Sequence, residues 1–368
     1  MTTTTTELLF DLTDLEPVGL PYAPTARLIL PAGDLDDPKF RALWEAVRHE
    51  GIGGSDVAAI LGMAKRGPRR VYEEKHGFKQ PDNRFMRFGR RMEPIVAAEF
   101  EDETGLKTAM PPGTLAHIEH GWARSNVDRF VLDSFGRVVA PLECKNHSEF
   151  VARQWDDEEE PPVAAALQAH WNAAVGGWNH SYVAAVIGGN RLRVWRQDRD
   201  EELIQELFAF CGAWYQRHIV DGFPPPMDGS KDTEKLLAML WEVKPESVEE
   251  IDVETADQLL SEHDRLKAKV EAAEEELRTV KNLMRDIAGP SEIVKDTTGR
   301  IVWTNKQNST FASKKFSEAK PEVAARYTVM APALDTKRLK AEQGGLYRSF
   351  QARQLRPSTS TTSKKKGA

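Results

Sequence analysis

The chain has 368 residues, 40% of them hydrophobic and 29% charged, with a net charge of −7. That balance excludes a disordered polyelectrolyte and describes a globular protein with one large domain and an appended piece. No apolar run approaches the roughly 18 residues of a membrane span, and the Thr-rich start has no basic segment followed by an apolar one, so no membrane partner is expected. Cys144 and Cys211 are too few for a disulfide framework or a four-cysteine metal site, which suits a reducing, cytoplasmic setting. Charge is unevenly spread: Lys65 to Arg91 carries +7 and Ser291 onward +10, leaving −24 elsewhere. Two basic stretches flanking an acidic middle are compatible with phosphate contacts around a carboxylate site.

In chain order, residues 1–35 read as a flexible lead-in, because a Thr tract and scattered prolines give no period. Asp37 caps a first helix with Pro38 at its start and Phe40, Leu43, Trp44 and Val47 at helical spacings. Gly51-Ile-Gly-Gly-Ser-Asp-Val-Ala-Ala-Ile-Leu-Gly62 reads as a glycine turn, a Ser55 cap and a short helix ended by Gly62. Further helices are expected over 69–76 and 88–104. The period then changes to two: 127–133 and 138–145 form a hairpin around Ser134-Phe-Gly-Arg137. Glu143 and Lys145 share one face of the second strand, and Cys144 takes the other. An Ala-rich helix over 163–175, strands 182–187 and 192–196, and a helix from about 201 to 220 complete this domain, whose expected span is 36–226.

Beyond Pro224-Pro-Pro226, an arm is expected over 227–290. Leu259, Leu266, Ala273, Val280 and Ile287 recur every seven residues, with Val270, Leu277 and Met284 interleaved, as in a helical hairpin or short coiled coil. A basic extension (291–357) with a hairpin around Thr298-Gly299 follows, then a disordered Ser/Thr/Lys tail (358–368).

Phosphodiester hydrolysis needs a hard cation held by oxygen ligands where a phosphate can approach. Asp128 and Glu143 lie on hairpin partners, the Cys144 carbonyl can add a ligand, and Lys145 is placed to orient water or stabilise charge. Strands bearing exposed acids and lysines are common, so this spacing alone is also compatible with an ordinary ion pair. His117 and His120, three apart, read more readily as packing residues than as ligands, and Trp122, Trp155, Trp171 and Trp178 read as core.

In order and spacing, the glycine-rich segment 51–62, Phe88-Gly-Arg-Arg-Met-Glu-Pro94, Asp128, Leu142-Glu-Cys-Lys145 and Gln168 within Leu167-Gln-Ala-His-Trp171 resemble the YqaJ-type phage recombinase exonucleases. These are relatives of phage lambda exonuclease and the RecB-like branch of the PD-(D/E)XK nucleases. The resemblance spans about 50–222. It implies an α/β core with a central mixed sheet flanked by helices. It also implies Mg²⁺ (or Mn²⁺) on Asp128, Glu143 and the Cys144 carbonyl with Glu93 in support, Lys145 in catalysis, and Gln168 lining the site. Ser55 would hold a DNA 5′ phosphate, and Arg66, Arg69 and Arg70 follow closely enough to reach the backbone.

The implied activity is 5′-to-3′ degradation of linear double-stranded DNA, leaving 3′ single strands for an annealing-protein partner, by a ring-shaped homo-oligomer, a trimer by resemblance. A RecB-like endonuclease or single-strand nuclease, and a non-catalytic DNA-end-binding module, are the alternatives. One departure from the family pattern stands out: Ser125-Asn-Val precedes Asp128 and Arg129 follows it, where the family carries a small residue and proline before and glycine after.

Overall fold

The computed structural model describes residues 19–79, 84–157, 159–241, 243–244, 246–306, 311–329, 333–351 and 355–357. The chain forms two compact units, Met1–Glu242 and Val243–Ala368. The expectations for residues 1–18 and for the tail 358–368 lie outside the described residues.

The first unit comprises β1 (Ala26–Pro31), α1 (Pro38–His49), β2 (Ile52–Gly53), α2 (Gly54–Ile60), α3 (Pro68–Lys75), α4 (Arg84–Thr104), β3 (Lys107–Ala109), β4 (Gly113–His117) and β5 (Ala123–Ser125). It continues through β6 (Arg129–Leu132), β7 (Val138–His147), α5 (Val163–Gly176), β8 (His180–Ile187), β9 (Arg191–Asp198), α6 (Glu201–Tyr215) and α7 (Lys231–Leu240). A five-stranded mixed sheet runs β3-β6-β7-β8-β9, beside a four-stranded sheet β1-β4-β5-β2.

The hairpin β6–β7 is antiparallel, with Phe130 opposite Pro141 and Val131 opposite Ala140. Its turn is fixed by Asp133, whose carboxylate accepts from the N–H groups of Phe135 and Arg137, and by Gly136 at φ +76°. From β7 the chain crosses over through α5 to the parallel strand β8, and β9 returns antiparallel.

Helices cover both faces of the larger sheet. On one, Val96 and Phe100 of α4 pack with Leu142 and Cys144 of β7. On the other, Ala165 and Ala169 of α5 pack with Val183, Ala185 and Trp195. Helix α5 is apolar nearly all round because it is enclosed: it touches β7 and β8 as well as α2, β4 and β5. This is the expected α/β architecture, a central mixed sheet flanked by helices.

Three boundaries differ from the sequence reading. Residues 26–31, expected in a flexible lead-in, are a strand paired with β4, and Ala23 and Ala26 are fully buried. Their short alternating stretch is masked by neighbouring prolines. The first unit also extends past 226 to 242, because Arg70 of α3 ties down α7 through Asp232 at 2.5 Å. Finally, the 36-residue α8 (Val253–Ala288) is one continuous helix and not a helical hairpin.

The rest of the second unit consists of β10 (Ile293–Lys295), β11 (Ile301–Thr304), α9 (Ser313–Ala319), α10 (Pro321–Tyr327), α11 (Thr336–Glu342) and α12 (Gly344–Ser349). The expected hairpin around Thr298-Gly299 is present: Asp296 accepts from the N–H groups of Thr298 and Arg300, and Gly299 takes φ +87°. Among the described residues of this unit only Ala288 is buried.

Candidate active site

Strand β7 brings the chemistry together. Its alternation sends Cys144 into the α4 face, where it is buried, and turns Glu143 and Lys145 toward α5. Asp128 lies one residue before β6, and its Oδ2 accepts from the Cys144 N–H at 2.8 Å, which locks the aspartate against the centre of β7. The Asp128 and Glu143 carboxyls lie close enough for the Asp128 charge to act on Glu143. Lys145 Nζ donates to Glu143 Oε1 at 2.5 Å and to Gln168 Oε1 at 3.0 Å.

One turn further along α5, Asn172 Nδ2 reaches Glu143 Oε2 at 3.4 Å, and Asn172 Oδ1 accepts from Ser125 Oγ at 2.7 Å. The residues that depart from the family pattern before Asp128 thus have structural work: Ser125 is fully buried on Asn172, and Asn126 accepts from Thr114 at 2.7 Å. Arg129, where the family has glycine, donates to the Asp128 carbonyl at 2.6 Å.

The electrostatics are those of crowded carboxylates. Burial, then the Asp128 charge, pushes Glu143 up to about 8, while Lys145 pulls the other way. Asp128 is raised by burial against the pull of Lys145. On α4, burial and then Asp128 raise Glu93 to about 7. Among the described residues no three Asp, Glu, His or Cys side chains are grouped to hold a metal. Glu93 therefore stands apart from the Asp128–Glu143 pair as a neighbour felt through its charge.

The donor set still fits a divalent cation. Two hard carboxylates share an enclosed place with negative charge that Lys145 only partly offsets, and magnesium commonly takes one or two carboxylates and leaves its other positions to water or phosphate. The Cys144 thiol itself is no ligand, being buried on the α4 face and raised far above its ordinary range by burial and the two acids.

The basic segment is mostly spoken for. Asp56, 2% exposed, receives Lys75 Nζ at 2.7 Å and Arg66 at 2.5 Å, and Arg66 also pairs with Glu74 at 2.7 Å. Burial would raise Asp56, but Lys75 and Arg66 hold it well below the usual carboxylate range. Arg69 pairs with Glu73 at 2.7 Å, and Lys79 with Glu45 at 2.8 Å. Arg70, 3% exposed, pairs with Asp232, so the expectation that it contacts DNA is corrected: no phosphate can reach it. Arg66 and Arg69 are likewise engaged within the fold: Arg66 joins α2 to α3 through Asp56 and Glu74, and Arg69 is held on α3 by Glu73.

Ser55 is not the cap of α2: Gly53 occupies that position, and Asp56 reaches back to the Gly53 N–H at 3.1 Å. Ser55 is exposed on the first turn. Just before it, Gly54 allows α2 to lie against α5, since a Cβ there would meet Gln168 Cγ at 3.0 Å. His117 and His120 are packing residues, as expected: they stack on each other, pack on Phe208, and His117 Nδ1 accepts from the N–H groups of Glu119 and His120. Trp155, Trp171 and Trp178 are buried, and Trp122 packs on Trp171.

Asn172 and Ser125 are the site residues that the sequence reading missed. Asn172 had a signal, a polar residue four after Gln168 in a mostly apolar helix. Ser125 had none, because its partner is 47 residues away.

Fold and site together define a mixed α/β core with a carboxylate–lysine cluster at its central strand. Residues 43–179 match the YqaJ-like viral recombinase domain. The uncharacterized protein YqaJ of Bacillus subtilis (strain 168) is 28% identical over 287 residues, covering 76% of this chain and 88% of that protein. Among solved structures, an alkaline exonuclease (LHK-Exo) from Laribacter hongkongensis has a TM-score of 0.42 at 19% identity, covering 54% of this chain and 100% of its own. The same enzyme in complex with dAMP has a TM-score of 0.42 at 18% identity, with the same coverage. No helix among the described residues is long and apolar enough to cross a membrane.

Proposed function

We propose that this chain is a divalent-metal-dependent deoxyribonuclease that degrades linear double-stranded DNA from the 5′ end, supplying 3′ single strands to an annealing protein in phage-type recombination inside the cell. The observation that carries the reading is the enclosed Asp128–Glu143 pair with Lys145 held between Glu143 and Gln168, in a segment that matches a viral recombinase domain.

A magnesium or manganese ion on Asp128, Glu143 and the Cys144 carbonyl would supply Lewis-acid chemistry for phosphodiester hydrolysis. The chain's own groups do the positioning. Gln168 and Glu143 fix the Lys145 ammonium, so that its positive charge is preorganised for the charge that develops on the phosphate. Asn172, held by Ser125, steadies the second Glu143 oxygen. Glu93, shifted to about 7, can take or release a proton near neutral pH. Ser55, exposed on the first turn of α2, is the residue we assign to a terminal phosphate.

The test is digestion of end-labelled linear duplex, with and without a blocked 5′ end, and of closed circular duplex, in Mg²⁺ or EDTA. Degradation of the unblocked linear duplex alone, abolished by EDTA, is the expected outcome. Cutting of circles would replace exonuclease with endonuclease, and binding without cleavage in Mg²⁺ would leave an end-binding module.

A further inference from the structure

Helix α8 carries an apolar seam with no cover. Leu266, Leu277 and Val280 are 47%, 51% and 52% exposed, and the seven-residue repeat that includes them runs the length of the helix. The hairpin and short helices of its own unit bury nothing among the described residues except Ala288. A seven-residue period keeps such a seam facing a partner helix over many turns, whereas a helix packed on a globular surface drifts away from it.

The residues flanking the seam say which partner fits. With Val270, Leu277 and Met284 at the a positions, Glu262, Lys269 and Glu276 fall at g and Lys267, Glu274 and Lys281 at e. In a parallel, in-register pair each g residue meets the e residue five places further along the other helix. The three pairings are then Glu262 with Lys267, Lys269 with Glu274, and Glu276 with Lys281, all of opposite charge. An antiparallel pair matched end to end keeps attraction only at Lys267 with Glu274 and Lys269 with Glu276, and sets Glu262 and Lys281 against leucines.

The seam has one polar member, His263, which faces its own copy in the parallel arrangement and Val280 in the antiparallel one. Glu262 and Lys267 also make exposed pairs within the helix, with Arg265 and with Glu271 at 3.9 Å, which a partner helix can exchange at little cost.

We infer that α8 forms a parallel, in-register coiled coil with the same helix of a second copy of this chain. This surface is separate from the nuclease site and does not rest on the proposed activity. The complementary g–e charges favour self-association, because each charge finds its opposite within the repeat of the same sequence.

The test uses the full-length chain carrying Leu259→Cys at the start of the seam, with disulfide formation in mild oxidant and mass by light scattering as readouts. Parallel copies bring the two cysteines together and give near-complete cross-linking, whereas antiparallel copies leave them about 37 Å apart along the helix. Two charge variants are then made in this background, Lys267→Glu/Lys281→Glu and Glu262→Lys/Glu276→Lys. Each places like charges at both altered pairs, so each alone is expected to lose at least tenfold in cross-linking rate, and mixing the two restores it. Circular dichroism checks that both variants keep the helix content of the parent.

Three results would overturn the inference: a parent chain that does not cross-link, variants that cross-link as fast as the parent, or a mixture no faster than either variant alone. The last would indicate antiparallel copies or a different partner.

Discussion

The two units solve the problem of burial in opposite ways. In the first, Trp171, Phe100 and Leu142 are fully enclosed, and even charged residues such as Asp56 and Arg70 are taken inside with their partners. In the second, a 36-residue helix and several short elements leave leucines, valines and aromatic residues in solvent, with Ala288 the one buried residue among those described. A carboxylate–lysine site needs the first kind of surrounding, because only an enclosed place strengthens charge interactions enough for chemistry. The second kind offers surface for association. Chemistry and assembly are thus expected to respond to different mutations.

The sharpest way to break that division is to remove charge from the enclosed site. Glu143→Gln should lower DNA hydrolysis by several kcal/mol of barrier, roughly 10³-fold, while leaving the mass of the protein in solution unchanged. Next in size is Asp56→Asn, which strands Lys75 and Arg66 without their buried partner. It should cost the first unit about 3–5 kcal/mol in denaturant unfolding. Because the folded Asp56 pKa lies below its ordinary value of 3.8, the wild-type contribution is complete above about pH 4 and lost as pH falls. The variant's stability should therefore depend less on acid.

Gln168→Ala and Asn172→Ala should lower the rate about 10–100-fold, because they support Lys145 and Glu143 rather than replace them. Their mark should be a displaced pH–rate profile rather than a changed KM.

Cation binding offers a finer probe. Glu143 near 8 and Glu93 near 7 are raised, so below those values the site holds protons that a cation must displace. Mg²⁺ affinity should rise with pH up to about 8, with proton release seen by calorimetry in buffers of differing ionisation enthalpy. The same raised values mean that, without metal, the folded state loses stability as pH climbs from about 4.5 toward 8. The smallest effect belongs to the second unit: Arg338→Ala removes an exposed pair with Glu342 and should change stability by less than about 0.5 kcal/mol.

How much of this was legible in the sequence depends on how local each feature is. The hairpin carrying Asp128 and Glu143, the face shared by Glu143 and Lys145, the turn at Thr298-Gly299 and the long α8 repeat are all set by neighbours within a few residues, and the structure has them. Strand β1 was hidden because its partner β4 lies some ninety residues on, and its own stretch is too short to show a period. The arginines misled for the same reason: Arg70 looks like a free cation until Asp232, 162 residues away, is folded against it. Ser125 on Asn172 was likewise invisible, although the odd polar position of Asn172 in α5 was there to be noticed.

The central claim is that Asp128 and Glu143, braced by Lys145, form one cation-dependent hydrolytic site. It is tested most directly by measuring degradation of end-labelled linear duplex across a Mg²⁺ titration, comparing the wild-type chain with Asp128→Ala. Hydrolysis that saturates with Mg²⁺ in the wild type and is lost at every concentration in the variant is the result predicted. Undiminished degradation by Asp128→Ala, or a wild-type rate indifferent to Mg²⁺ and EDTA, would contradict it.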